Sequence, residues 1–153
     1  MNRLLPMLII ILLSSISIHA RTGLEIDKLF TEQYAADPQV TETILSGNNR
    51  YLKKHNLSVF STFKAPAAKY QAAVEQMVLN DARKAIGKNV RYKDGKLYYA
   101  LFILSPVTSN GNKTNRYIYY LNNSSAKGGN VMVIYLEGKL SDQEVSSLLQ
   151  SAK

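Results

Sequence analysis

The hydrophobic period of the chain changes at Asn89, from helical spacing before it to extended alternation after it, and this switch limits the possible folds more than any other feature. After it come the runs Val90 to Lys93, Leu97 to Leu104, Arg116 to Leu121 and Val131 to Leu136. Asp94-Gly95, between the first two, is a strong hairpin signal, because a two-residue turn of the right twist needs positive φ at both central positions. The stretches Pro106 to Thr114 and Asn122 to Asn130 are rich in Asn, Ser and Gly and are expected to be exposed connectors. The second half of the chain therefore reads as an antiparallel sheet.

Ahead of the switch, Thr22 and Glu25 have the spacing of a capping box. Ile26, Leu29, Phe30, Gln33 and Tyr34 then recur at helical spacing until Asp37-Pro38. Val40 to Leu45 reads as a short strand ended by Ser46 to Asn49, and Leu57 to Phe63 as a second. Pro66 suits a first helical turn, no Gly or Pro interrupts the stretch to Ala85, and Gly87 is placed as a C-cap. At 100° per residue, Tyr70, Ala73, Val74, Met77, Val78 and Ala85 share one face. Asp81 falls in the middle of that apolar face, where a carboxylate must find a hydrogen-bond donor or a cation. Ser141 and Glu144 form a further capping box, followed by a stripe of Val145, Leu148, Leu149 and Ala152. The expected fold is α+β: an antiparallel sheet of about five to six strands with two or three helices packed on one face.

The N-terminus has the layout of a secretory signal peptide. Arg3 precedes an apolar run from Leu4 to Leu13, broken only by Pro6 and too short to span a bilayer, and Ala20 supplies a small residue for cleavage. Residues 1–20 are read as the signal peptide and 21–153 as a single domain. An uncleaved anchor is the other reading of the same pattern. The protein is expected to be exported, periplasmic or secreted, touching the membrane only through the signal peptide before cleavage. With no cysteine in the chain, the fold uses no disulfides and carries out no thiol chemistry, and lipid attachment at a lipobox is excluded.

Few residues have the spacing of a reaction. His19 leaves with the signal peptide, so His55, set in Lys53-Lys54-His55-Asn56, is the sole histidine of the remaining chain and reads as solvated. Neither zinc nor calcium ligand spacing is present, and no metal or cofactor is expected. Tyr92, Tyr98, Tyr99, Tyr117, Tyr119, Tyr120 and Tyr135 all fall in the expected strands. Alternation pairs Tyr117 with Tyr119, and Tyr98 with Phe102, on common faces. A face carrying Tyr98, Tyr117 and Tyr119 beside Lys93, Lys96 and Arg116 is a candidate surface for binding sugars or bases. Tyrosine's strand propensity is the plainer explanation of the same pattern. Net charge is +8, with cations concentrated between Arg50 and Lys96. That balance suits an anionic partner, and it also keeps an exported protein dispersed. Export argues against nucleic acid.

Several segments resemble the small exported families of unknown function found in Bacteroidota. They are Leu29-Phe30 to Tyr34 with Val40-Thr41, the helix around Val78 to Ala85, Lys96-Leu97-Tyr98-Tyr99, Asn115 to Asn122, and Ile134-Tyr135-Leu136-Glu137-Gly138. The resemblance implies a periplasmic or outer-envelope protein without an assigned activity and supplies no catalytic residues. Three readings stand. The first is a non-enzymatic envelope protein that binds another protein or an envelope component such as a polysaccharide. The second is a small glycan- or peptide-acting hydrolase using Asp81, His55 or Glu137, and the third a binder of anionic polymer through the basic middle segment.

Overall fold

The structure, a computed structural model, describes Arg21, residues 23–125 and residues 128–151. The expected signal peptide, Thr22 of the first capping box and Ala152 lie outside the described residues. Six strands, β1 (Thr41–Ser46), β2 (Leu57–Pro66), β3 (Ala85–Lys93), β4 (Lys96–Ser109), β5 (Asn112–Ser125) and β6 (Gly128–Gly138), form one sheet. Their order is β1-β2-β6-β5-β4-β3, with every neighbouring pair antiparallel. A 3-10 helix (Glu25–Phe30) and the α-helices α1 (Glu32–Ala35), α2 (Arg50–Lys54), α3 (Ala67–Ala82) and α4 (Asp142–Gln150) complete the described chain. None of the described helices is long and apolar enough to cross a membrane.

The sheet is longer than the hydrophobic runs alone suggest. The expected connector Pro106 to Thr114 is mostly strand: β4 and β5 pair as far as Ser109 and Asn112, joined by Asn110-Gly111 with φ of 51° and 76°. Asn-Gly is itself a two-residue hairpin signal. The expected connector after Asn122 is also strand at both ends, pairing Asn123 with Asn130 and Ser124 with Gly129. Backbone ladders continue past the apolar stretch once register is set, because the hydrogen bonds do not depend on the side chain. Gly87 is likewise a strand residue rather than a C-cap. The long helix stops at Ala82, and Gly87 pairs with Ile103, whose Cδ1 would lie 3.0 Å from an added Cβ.

Helices pack on both faces of the sheet, not on one. Phe63 and Ala65 of β2, Phe102 and Leu104 of β4, Ile118 and Tyr120 of β5, and Val133 and Tyr135 of β6 are buried with Val74 and Val78 of α3 and with Ile26 and Leu29. The alternate residues Leu101, Tyr117, Tyr119, Ile134 and Leu136 are buried on the opposite face with Leu52 of α2 and Val145 and Leu149 of α4. A continuous buried run such as Tyr117-Ile118-Tyr119-Tyr120 is what a strand covered on both sides looks like. Each fully buried side chain of this size contributes about 1.5–3 kcal/mol. The capping box of α4 forms as expected: the Ser141 hydroxyl accepts from the Glu144 N–H at 3.3 Å, and the Glu144 carboxylate accepts from the Ser141 N–H at 2.7 Å. Missing from the sequence reading is α2, capped by the Asn49 side chain, which accepts from the N–H groups of Tyr51 and Leu52.

The expected N-terminal amphipathic helix is divided. Thr31 is extended, with φ −111° and ψ 163°, and separates the 3-10 helix from α1. Leu24 stands at the N-cap of the 3-10 helix and makes no side-chain capping bond.

Candidate functional site

Asp81 caps that 3-10 helix from a distance. It lies on the buried face of α3 and is 1 % exposed. Its Oδ1 accepts the Glu25 N–H at 2.7 Å and its Oδ2 the Ile26 N–H at 2.9 Å. These are first-turn donors that have no partner within their own helix. Burial pushes the carboxyl pKa up, while the two N–H donors act against that rise. The one residue that breaks the apolar pattern of α3 thus joins the helix to the N-terminal segment, with both carboxylate oxygens engaged by backbone.

A different residue marks the candidate site. In the β3–β4 ladder Arg91 pairs with Tyr99 and Tyr92 with Leu97, which leaves Tyr98 without a partner across the ladder. Such a bulge re-aims the side chain of its extra residue. Tyr98 accordingly does not share the buried face of Phe102, as strict alternation requires, and is 42 % exposed. It borders two clefts.

The first cleft, of about 510 Å³, lies between the sheet and α4. Asn89 and Arg91 of β3, Tyr98 and Tyr99 of β4, and Tyr119, Leu121 and Asn123 of β5 line it, with Ser146, Leu149 and Gln150 of α4 forming the opposite wall. The Tyr99 and Tyr119 rings meet edge to face, with centroids 5.5 Å apart and planes at 79°. The Arg91 guanidinium carbon lies 5.6 Å from the Tyr99 ring centroid, within reach of a cation–π attraction. Burial raises the pKa of the Tyr119 phenol. The volume falls within the roughly 300–1,000 Å³ of small-ligand sites.

The second cleft, of about 360 Å³, is lined by Lys93, Asp94, Lys96, Leu97, Tyr98, Asn122 and Ser124. The two lie on opposite faces of the sheet: Tyr119, Leu121 and Asn123 of β5 face the first, the alternate residues Asn122 and Ser124 the second, and Tyr98 at the bulge borders both. Arg91 is the charged residue lining the first cleft, and Lys93 and Lys96 line the second with Asp94. Side-chain amides and hydroxyls from Asn89, Asn122, Asn123, Ser124, Ser146 and Gln150 supply groups that both donate and accept.

Of the candidate binding surface the structure therefore brings Tyr98 together with Tyr119 in the first cleft and with Lys93 and Lys96 in the second, and sets Arg116 and Tyr117 apart. Tyr117 does share the face of Tyr119, but it is 1 % exposed and its hydroxyl donates to the Leu140 carbonyl at 2.9 Å, with Asp142 Oδ1 at 3.0 Å. It fixes the entry to α4. Arg116 faces the other side, donating from Nε to the Ser105 carbonyl at 2.9 Å and lying close enough to lower the pKa of Glu137. Glu137 is buried and accepts from the Tyr135 hydroxyl at 2.7 Å. Burial is the main cause of its raised pKa. His55 packs against Tyr51 with ring centroids 4.6 Å apart and lines a shallow groove with Gln143, Glu144 and Ser147. Among the described residues no three of His, Cys, Asp or Glu are grouped closely enough to hold a metal ion.

Sequence reasoning missed Asn89, Arg91, Tyr99, Asn123 and the α4 residues as members of the site. Arg91 and Tyr99 face each other only through the β3–β4 register, and Ser146 and Gln150 arrive only because α4 folds back over the sheet. The available signal was the alternation itself, which places Asn89 with Arg91 on one face of β3.

Fold and site together define an α+β domain with an open antiparallel sheet and a tyrosine- and amide-lined cleft between that sheet and α4. Its sequence matches the model of a family of unknown function (DUF6108) over residues 13–149, and the chain belongs to that family. Neither a curated protein nor a solved structure matches the chain.

Proposed function

We propose that this chain is a non-enzymatic exported protein of the bacterial envelope, and that it binds an envelope component through the cleft between the sheet and α4 that Tyr98 borders. The observation that carries the reading is the bulge at Tyr98, which leaves an exposed aromatic ring at the border of a cleft also lined by Arg91, Tyr99 and Tyr119. Export and the envelope address rest on the charged start, short apolar run and Ala20 of the N-terminus.

A hydrolase needs an acid or base free to meet a substrate. Asp81 has both oxygens committed to backbone N–H groups, and Glu137 is buried against Tyr135. His55 does line a groove beside Glu144, but Glu144 Oε2 already accepts the Ser141 N–H of the capping box. Binding is therefore the reading the geometry favours.

Co-sedimentation with a purified envelope fraction of a Bacteroidota host tests it. The wild-type protein is expected to pellet with the fraction and the Tyr98→Ala, Arg91→Gln double variant to stay in the supernatant. Failure of the wild type to pellet, or equal pelleting of both proteins, overturns the reading.

A further inference from the structure

We infer that the outer edge of β3 docks an acidic, extended segment of a partner protein, which joins the sheet beside β3 as an added strand. This surface is separate from the cleft proposed above. Among the described elements β3 ends the sheet, paired with β4 on one side and with no described strand on the other. An edge strand turns the N–H and C=O groups of alternate residues outward, a template for a further strand. The stretch Ala85–Lys93 contains no proline, so each residue keeps its donor. Register shifts at Ala85/Gly87 and at Arg91/Tyr92 bound a regular ladder of five residues, Gly87 to Arg91, which is about the length of an ordinary strand.

Charge chooses the occupant. Between Asp81 and Asp94 stand Arg83, Lys84, Lys88, Arg91 and Lys93, with no carboxylate among them. Among the described residues no carboxylate forms an ion pair with Lys88, Arg91 or Lys93. Lys88 lies on the α3 face opposite Phe102 and Arg91 on the α4 face opposite Tyr99, so acids on either face of an added strand meet a cation. Charges on an edge often serve only to keep other strands away. Such an edge has no use for apolar side chains in water, yet Ile86 and Tyr92, at either end of the regular ladder, are 67 % and 61 % exposed, the highest of the large apolar residues described. Backbone bonds and these two side chains supply attraction, and the cations supply selectivity. A second copy aligned through β3 would bring the same cations. β1, the opposite edge, offers no counterpart, because its one charged residue, Glu42, has a carboxylate oxygen buried inside the fold.

Amide chemical-shift titration of the purified protein tests the inference with three synthetic peptides. They are a peptide of alternating glutamate and valine, its lysine-for-glutamate counterpart, and the glutamate peptide N-methylated at every residue, which keeps the charge and loses the donors. The glutamate peptide is expected to give saturable shifts confined to Ala85–Lys93 and to slow amide exchange there. The lysine and N-methylated peptides should each bind at least roughly tenfold more weakly. The double variant Lys88→Glu, Lys93→Glu should weaken the glutamate peptide by roughly tenfold and take up the lysine peptide instead. Both side chains are exposed, and an unchanged melting temperature will show that the variant folds. No saturable binding of the glutamate peptide to the wild type, equal binding of the lysine peptide, or shifts centred away from β3 would each overturn the inference. Equal binding of the N-methylated peptide would reduce the edge to a polyanion-attracting surface, and dimerisation through β3 without peptide would make a second copy the occupant; either result overturns it too. Neither Lys88 nor Lys93 lines the cleft between the sheet and α4, so failure here is distinguishable from failure of the envelope-binding role.

Discussion

The Ile26 N–H donates to Asp81 Oδ2 at 2.9 Å across 55 residues of chain, and the Glu25 N–H donates to the other oxygen of the same carboxylate. This pair of bonds ties the N-terminal segment to α3. Asp81→Ala leaves two donors without an acceptor, one of them on a fully buried residue, and should cost about 2–4 kcal/mol. Urea denaturation will measure it. A change below about 0.5 kcal/mol would show that the capping bonds contribute nothing.

Gly138 ends β6 where the chain passes against the start of β2. An added Cβ would sit 2.3 Å from the Asn56 carbonyl oxygen and 2.8 Å from the Leu57 Cα, and both are backbone atoms that cannot swing aside. The adjoining Lys139 N–H donates to that same Asn56 carbonyl at 2.9 Å. Gly138→Ala is expected to cost about 2–3 kcal/mol, in the range of an overpacked core, and thermal melting will detect it. An unchanged melting temperature contradicts the close approach.

Ser141 starts the helix that walls the first cleft. Ser141→Ala removes the cap and should cost about 1 kcal/mol. Because Ser146 and Gln150 lie further along the same helix, amide hydrogen exchange in α4 should quicken more than exchange in α3. Equal protection in the two helices would separate the cap from the cleft wall.

Glu137 gives the pH dependence a sign. Burial raises its carboxyl above the ordinary 4.5, so the folded chain holds this proton more tightly than the unfolded chain does. Its contribution to stability is full below 4.5 and is lost as pH rises through the raised folded value. Glu137→Gln has no proton to lose. Melting temperature should therefore rise in the variant relative to wild type on going from about pH 4 to pH 8. Parallel curves would place the Glu137 carboxylate in a fully compensated site.

Much of the fold was legible in the residues. The Asp94-Gly95 turn and the Ser141-Glu144 box each carry a local physical cause and appear in the structure, while the switch to strand comes at Ala85, which the helical face was expected to include, rather than at Asn89. The need of Asp81 for a donor was also readable, since a carboxylate on an apolar helical face has few alternatives. Its partner was not, because Glu25 and Ile26 come close only through tertiary packing. The two-faced sheet was missed where strand runs were assumed to alternate. Tyr117-Ile118-Tyr119-Tyr120 carried the opposite signal. Half of the site was similarly hidden: Tyr98 was singled out for its ring, but its exposure depends on a bulge, and a bulge depends on register between strands rather than on either strand alone.

The most direct test of the account is a map of where a solubilised envelope fraction touches the protein, by amide chemical-shift perturbation on titration. Saturable shifts gathered at Asn89, Arg91, Tyr98, Tyr119 and Gln150 are predicted, with the His55 groove and the Asp81 cap unmoved. Shifts centred on His55, or spread without saturation over the cationic surface, would contradict it.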